Sequence, residues 1–204
     1  MLVFGVVSPH PPLILPEIGG DDTMRVQRTV DALETAAIEL GKTDPEMVII
    51  ISPHRDYGFE VPLYYLRRHL RKDVDIEKIL VSNPSYGYYY EAGKEVGARI
   101  KLDRRRYAII ASGDLSHVLE SDGAYGFHPS GPVIDDIIIK AVRERDVQAL
   151  LNIDSVTLEE GAECGLRSIL FLLGALEGLE VESRVLSFEG PFGVGYLVAT
   201  FEVE

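Results

Sequence analysis

The chain of 204 residues holds a single cysteine, Cys164, which excludes a disulfide within the chain and fits a reducing compartment. No apolar run approaches the ~20 residues that a membrane-spanning helix needs. Met1 leads straight into a strand-like run with neither a basic segment nor a small-residue cleavage site, so no signal peptide is expected and the expected location is cytoplasmic. Basic residues are scarce. Lys and Arg number 20 against 33 Asp and Glu, a net charge of −13, and that field repels phosphate backbones and anionic membranes. Neither nucleic acid nor membrane is an expected partner. The one basic cluster, Lys101 with Arg104, Arg105 and Arg106, reads as a solvated junction between a helix and a strand rather than an anion site. There is no internal repeat, low-complexity segment or linker, so one domain is expected over residues 1–204, and 46% hydrophobic residues suffice for a large core.

What the sequence does have is a recurring junction. Met47-Val48-Ile49-Ile50-Ile51 runs into Ser52-Pro53-His54, Leu2 to Val7 runs into Ser8-Pro9-His10, and Tyr107 to Ala111 runs into Ser112-Gly113-Asp114-Leu115-Ser116-His117. Unbroken β-branched runs of this kind suit strands covered on both faces, as in the middle of an α/β sheet. Proline cannot donate a ladder hydrogen bond, so Pro9 and Pro53 end the pairing and put a histidine just past each strand's carboxyl end, where open α/β sheets bind ligands.

Between these junctions the spacing predicts further elements. Pro9, Pro11, Pro12 and Pro16 are expected to hold an extended, stiff loop. Asp21 and Asp22 offer a cap for a helix running to Gly41. Phe59 to Leu66 reads as an extra strand, and Ile76 to Ser82 also reads as extended. Helices are expected from Ser85 to Asp103, from Pro132 to Arg145, briefly from Val147 to Leu151, and over Leu166 to Leu176, the last apolar all round and so buried. Glu182 to Phe188 and Gly195 to Val203 read as final strands. The resulting fold class is α/β, a central mixed sheet with helices on both faces. Tyr86, Tyr88, Tyr89 and Tyr90 read as packing or a subunit contact rather than a binding feature, and His69, among arginines, reads as solvated.

A lone histidine after a strand is usually structural, but two fixed behind prolines can converge if their strands lie close, and neutral imidazole is the commonest transition-metal ligand. A carboxylate at the mouth of the buried helix, Glu163, could complete a site. Two His and one carboxylate are used both by non-heme Fe(II) oxygenases and by catalytic zinc sites, so residue types leave the metal open. His128, in the Tyr125-to-Gly131 loop, is a candidate to close over a substrate.

The early His-Pro-Pro, the second Ser-Pro-His, the Ser-Gly-Asp-Leu-Ser-His stretch, the late Gly-Ala-Glu-Cys-Gly-Leu-Arg-Ser-Ile and Gly193-Val194-Gly195-Tyr196 together resemble the class III extradiol ring-cleavage dioxygenases, typified by the catalytic subunit of protocatechuate 4,5-dioxygenase. The resemblance spans essentially the whole chain. It implies an Fe(II)-dependent enzyme that opens a small catechol with O2, with His10, His54 and Glu163 as iron ligands and His117 as the acid/base. Some members of that family need a small partner subunit, and a homodimer is otherwise the default expectation. The same superfamily contains Memo-like proteins, in which the scaffold persists as a metal-binding or interaction protein without an established ring-cleaving role. That branch has a cysteine at the helix start, and here Glu163 and Cys164 are adjacent. Successive helical residues point about 100° apart, so one of the two faces the metal. Glu163 is expected, because a hard carboxylate suits Fe(II).

Overall fold

In a computed structural model that describes residues 1–204, the apolar runs are strands. The strands are β1 (Leu2–Ser8), β2 (Met47–Ser52), β3 (Asp75–Leu80), β4 (Tyr107–Ser112), β5 (Val181–Glu189) and β6 (Tyr196–Val203). They form one sheet in the order β3-β2-β4-β1-β6-β5. The first four are mutually parallel, β6 runs antiparallel to β1, and β5 runs antiparallel to β6. Side chains alternate across β2, so Val48 and Ile50 enter one core while Ile49 and Ile51 enter the other. Both faces are therefore buried, as the unbroken run requires. The edge strand β3 carries Asp75, Glu77 and Lys78, which keep its open side in water.

Helices cover both faces, bearing out the α/β mixed-sheet reading. They are α1 (Pro16–Gly19), α2 (Gln27–Lys42), α3 (Tyr57–Leu66), α4 (Tyr86–Leu102), α5 (Ser130–Glu144), α6 (Val147–Leu151), α7 (Ser155–Gly161) and α8 (Leu166–Ala175). α2 and α3 pack on one face, and α4, α5, α6 and α8 on the other. Two members of the basic cluster are paired locally, Arg105 with Asp103 and Asp75 and Arg106 with Asp44.

Three local expectations need correction. Phe59 to Leu66 is helical, not a strand. Phe59, Val61 and Leu63 alternate, but Phe59, Pro62, Leu63 and Leu66 also make a buried helical face, and a short run satisfies either period. The proline-rich loop after β1 is not simply extended: Pro12 opens a 3-10 turn and Pro16 opens α1, each using the fixed φ of proline at a helix start. Asp21 and Asp22 do not cap α2; they lie in a 3-10 segment, Gly20–Val26, that precedes it.

The contact of α4 with α8 sets the start of α4 beside the loop that enters α8. Gly93 permits it, since a Cβ there would lie 2.0 Å from the Phe171 carbonyl oxygen. Gly93→Ala should therefore cost about 1–3 kcal/mol by overpacking, read as a lower urea midpoint at unchanged m. Gly87→Ala in the same helix meets nothing within 4 Å and should instead gain up to about 1 kcal/mol from helix propensity.

Candidate metal centre

β4 lies between β1 and β2, so the exits of three adjacent parallel strands deliver His10, His54 and the Asp114–His117 loop to one end of the sheet. The His10 and His54 rings meet edge to face with centroids 5.2 Å apart. His10 is fixed twice, its backbone N–H donating to Asp114 Oδ1 at 2.9 Å and its Nδ1 lying 3.0 Å from Ser112 Oγ. The Ser112 hydroxyl donates its hydrogen to the Gly58 carbonyl at 2.6 Å. That carbonyl is free because the residue four positions on in α3 is Pro62, which has no N–H. With its one hydrogen committed, Ser112 Oγ can only accept from His10, so Nδ1 carries the ring proton and Nε2 presents a lone pair. Burial, opposed in part by the Asp114 carboxylate, lowers the pKa of His10 and keeps the ring neutral.

Cys164 reaches this point through a backbone clamp. Its N–H and that of Gly165 both donate to the Asp114 carbonyl, at 3.2 and 2.9 Å, while the Asp114 N–H donates to Cys164 Sγ at 3.3 Å. The two chain segments touch directly, since a Cβ on Gly113 would sit 2.1 Å from the Gly165 Cα. Cys164 Sγ then lies 3.8 Å from His10 Nε2. Donor atoms of His10, His54 and Cys164 all fall within 4.8 Å of one another, and Asp114, His117 and Cys164 form a second, overlapping group. Two imidazoles and a sulfur are a donor set that zinc, iron and copper accept. Burial pushes the Cys164 thiol up, so a metal bound there would displace its proton.

Glu163 is directed elsewhere. Its side chain is fully buried, Oε1 accepting from the Tyr86 hydroxyl at 2.9 Å and Oε2 from the Leu166 N–H at 2.6 Å, with Arg167 3.9 Å away. It thus caps α8 and ties it to the start of α4. Tyr86, expected from the sequence to serve packing or a subunit contact, has a polar role here, and the Arg167 guanidinium lies 4.1 Å over its ring. His117 donates from Nδ1 to the Ala162 carbonyl at 2.7 Å, leaving the Nε2 lone pair free, and Tyr125 meets its ring edge to face at 5.3 Å. His128 stands apart, accepting from the Ser130 N–H at Nδ1 and lying 3.8 Å from Glu160. His69 is exposed. Asp114 and Ser112 join the site without having been singled out by residue type, although both sit inside the Ser-Gly-Asp-Leu-Ser-His stretch.

Above the donors opens a cleft of about 450 Å³. His10, His54, Asp114 and His117 line it, Pro11, Leu13, Phe192, Val194 and Tyr196 supply apolar wall, and Arg55 and Tyr57 stand beside His54.

Comparisons with known proteins bear on the family and the fold. Residues 55–199 match the family model described as the catalytic LigB subunit of aromatic ring-opening dioxygenase, a span that begins just after His54 and takes in His117 and Cys164. Protein CA_C1420 of Clostridium acetobutylicum is 27% identical over an alignment covering 95% of this chain and 56% of the relative, so the chain spans about half the length of that curated relative. In shape, the chain is similar to the uncharacterized protein JW3007 from Escherichia coli K12, with a TM-score of 0.57 at 12% identity, covering 98% of this chain and 99% of that one. That likeness concerns the fold.

Tyr86→Phe removes a donor from a buried carboxylate and should destabilise the protein by about 1–3 kcal/mol. Tyr88→Phe, at an exposed neighbour on the same helix, should stay within about 0.5 kcal/mol. Chemical denaturation of both variants checks the difference.

Proposed function

Because the chain belongs to the family of the catalytic LigB subunit of aromatic ring-opening dioxygenases, we propose that its cleft binds a small aromatic diol over a single divalent metal ion held by His10, His54 and Cys164, with His117 as the proton-transfer group. The observation that carries this reading is the convergence of those three donors at the strand ends. The family resemblance points to Glu163 as the third ligand and to Fe(II) as the metal. The geometry favours Cys164, because the Glu163 carboxylate is occupied by Tyr86 and the Leu166 N–H.

A divalent ion held by these residues would supply Lewis acidity to the bound substrate. The remaining work falls to the chain. His117 Nε2, with its lone pair free, takes a proton from a diol hydroxyl and returns one later; the Nδ1–H bond to the Ala162 carbonyl supports the ring while it is cationic. Tyr125 holds that ring edge-on. The walls formed by Leu13, Phe192 and Val194 accept the apolar edge of the aromatic ring and displace water from it.

A thiolate in place of a carboxylate supports a second reading, a Memo-like metal-binding protein without ring cleavage, since sulfur also suits zinc and copper. One set of measurements separates the two. With protein loaded anaerobically with Fe(II), His54→Ala and Cys164→Ser should each lower metal affinity by more than the ~10–100-fold that loss of an outer-sphere partner costs, while Glu163→Gln keeps its metal. O2 uptake with a catechol panel should then appear in the wild type and fall by roughly 10²–10⁴-fold in metal-replete His117→Ala. Metal retained in Cys164→Ser but lost in Glu163→Gln would return the ligand role to Glu163. A metal-replete wild type inert to every catechol would favour the Memo-like reading.

A further inference from the structure

Asp135 is a buried acid that none of this chemistry uses. It projects from α5 and is 1% exposed. Its Oδ1 accepts the Ser116 N–H at 2.8 Å, and its Oδ2 is buried without a partner. Gly195 packs directly on Oδ2, where a Cβ would approach to 2.6 Å. The two loops that meet over the carboxyl are stitched to each other, the Gly195 N–H donating to the Ser116 carbonyl and the Leu115 N–H to the Gly195 carbonyl, each at 2.8 Å. One loop continues into His117, and the other lies between the cleft residues Val194 and Tyr196.

We propose that Asp135 is a positioning residue for His117, anchoring through Ser116 and Gly195 the two loops that line the cleft. The anchor is the side-chain acceptor of the Ser116 N–H, and the absence of a side chain at Gly195 is what lets the second loop seat on the same carboxyl.

The anchor is also set to change charge in the neutral range. Burial raises the Asp135 carboxyl to about 7, opposed by the Ser116 N–H and reinforced by Asp136 on its own helix and Glu163 on the loop before α8. The loop above it bears Asp114 and His117. A carboxyl whose native pKa lies above its unfolded value holds its proton to higher pH in the folded protein. The stability this confers is complete below the ordinary aspartate range and is lost as pH rises through about 7. Above that pH the carboxylate grips the Ser116 N–H more strongly, as charged acceptors do.

The inference rests on His117 as the proton-transfer residue, but its test reads the linkage directly and does not need turnover. In protein supplied with Zn(II), which is diamagnetic, the amide resonances of Ser116 and Gly195 should follow pH with a shared inflection near 7. Asp135→Asn, which keeps an acceptor for Ser116, should abolish that inflection, whereas His117→Ala should leave it in place. The His117 Nδ1–H resonance should be displaced in Asp135→Ala and restored in Asp135→Asn. An inflection that survives Asp135→Asn or vanishes with His117→Ala, or a His117 Nδ1–H signal unmoved by Asp135→Ala, would overturn the proposal. Catechol turnover can fail without touching any of these signals.

Discussion

The face that carries the candidate metal ligands depends on one hydroxyl. Ser112 gives its hydrogen to the Gly58 carbonyl and so must accept from His10, which fixes the tautomer in which Nε2, beside the Cys164 sulfur, carries the lone pair. The bond exists because Pro62 leaves a helical carbonyl without its usual donor. A proline inside α3, which by itself weakens a helix, is thereby connected through two hydrogen bonds to the electronic state of the His10 ring, far upstream in the chain. Outer partners of this kind orient metal-binding histidines and raise their basicity.

Much of the fold was legible from residue type. β1, β2 and β4 could be read because strands covered on both faces have no polar register to preserve, and proline marks the ends of the first two. The α3 segment could not, since a short run rich in apolar side chains satisfies both a two-residue and a 3.6-residue period. The placement of the candidate residues was legible in part. That His10, His54 and His117 share one end of the sheet follows from where their strands stop. The choice between Glu163 and Cys164 does not, because it depends on the path of the preceding loop.

That path turns on Ala162, which adopts the left-handed conformation at φ 49° and ψ 47°. Such a residue reverses the chain's local curl at a cost a glycine would avoid. Here its carbonyl receives the His117 Nδ1–H, and the next two side chains diverge, Glu163 toward α4 and Cys164 toward His10. No periodicity argument anticipates this, since the segment is not yet helical; α8 begins only at Leu166. The polar role of Tyr86 is hidden for a related reason. Its ring packs as an amphipathic tyrosine should, while its hydroxyl meets a carboxylate 77 residues away.

The sheet order also governs when this centre can come into being. β1 has no neighbour close in sequence: Leu2 pairs with Tyr107 and Phe4 with Glu202. Contacts of that separation close long loops and form slowly compared with local ones. His10 leaves the sheet at the end of this strand and meets Cys164 at a separation of 154 residues. No fragment lacking either half of the chain can hold the donors together, so an ion that binds them draws on the stability of the whole fold and returns its binding energy to all of it.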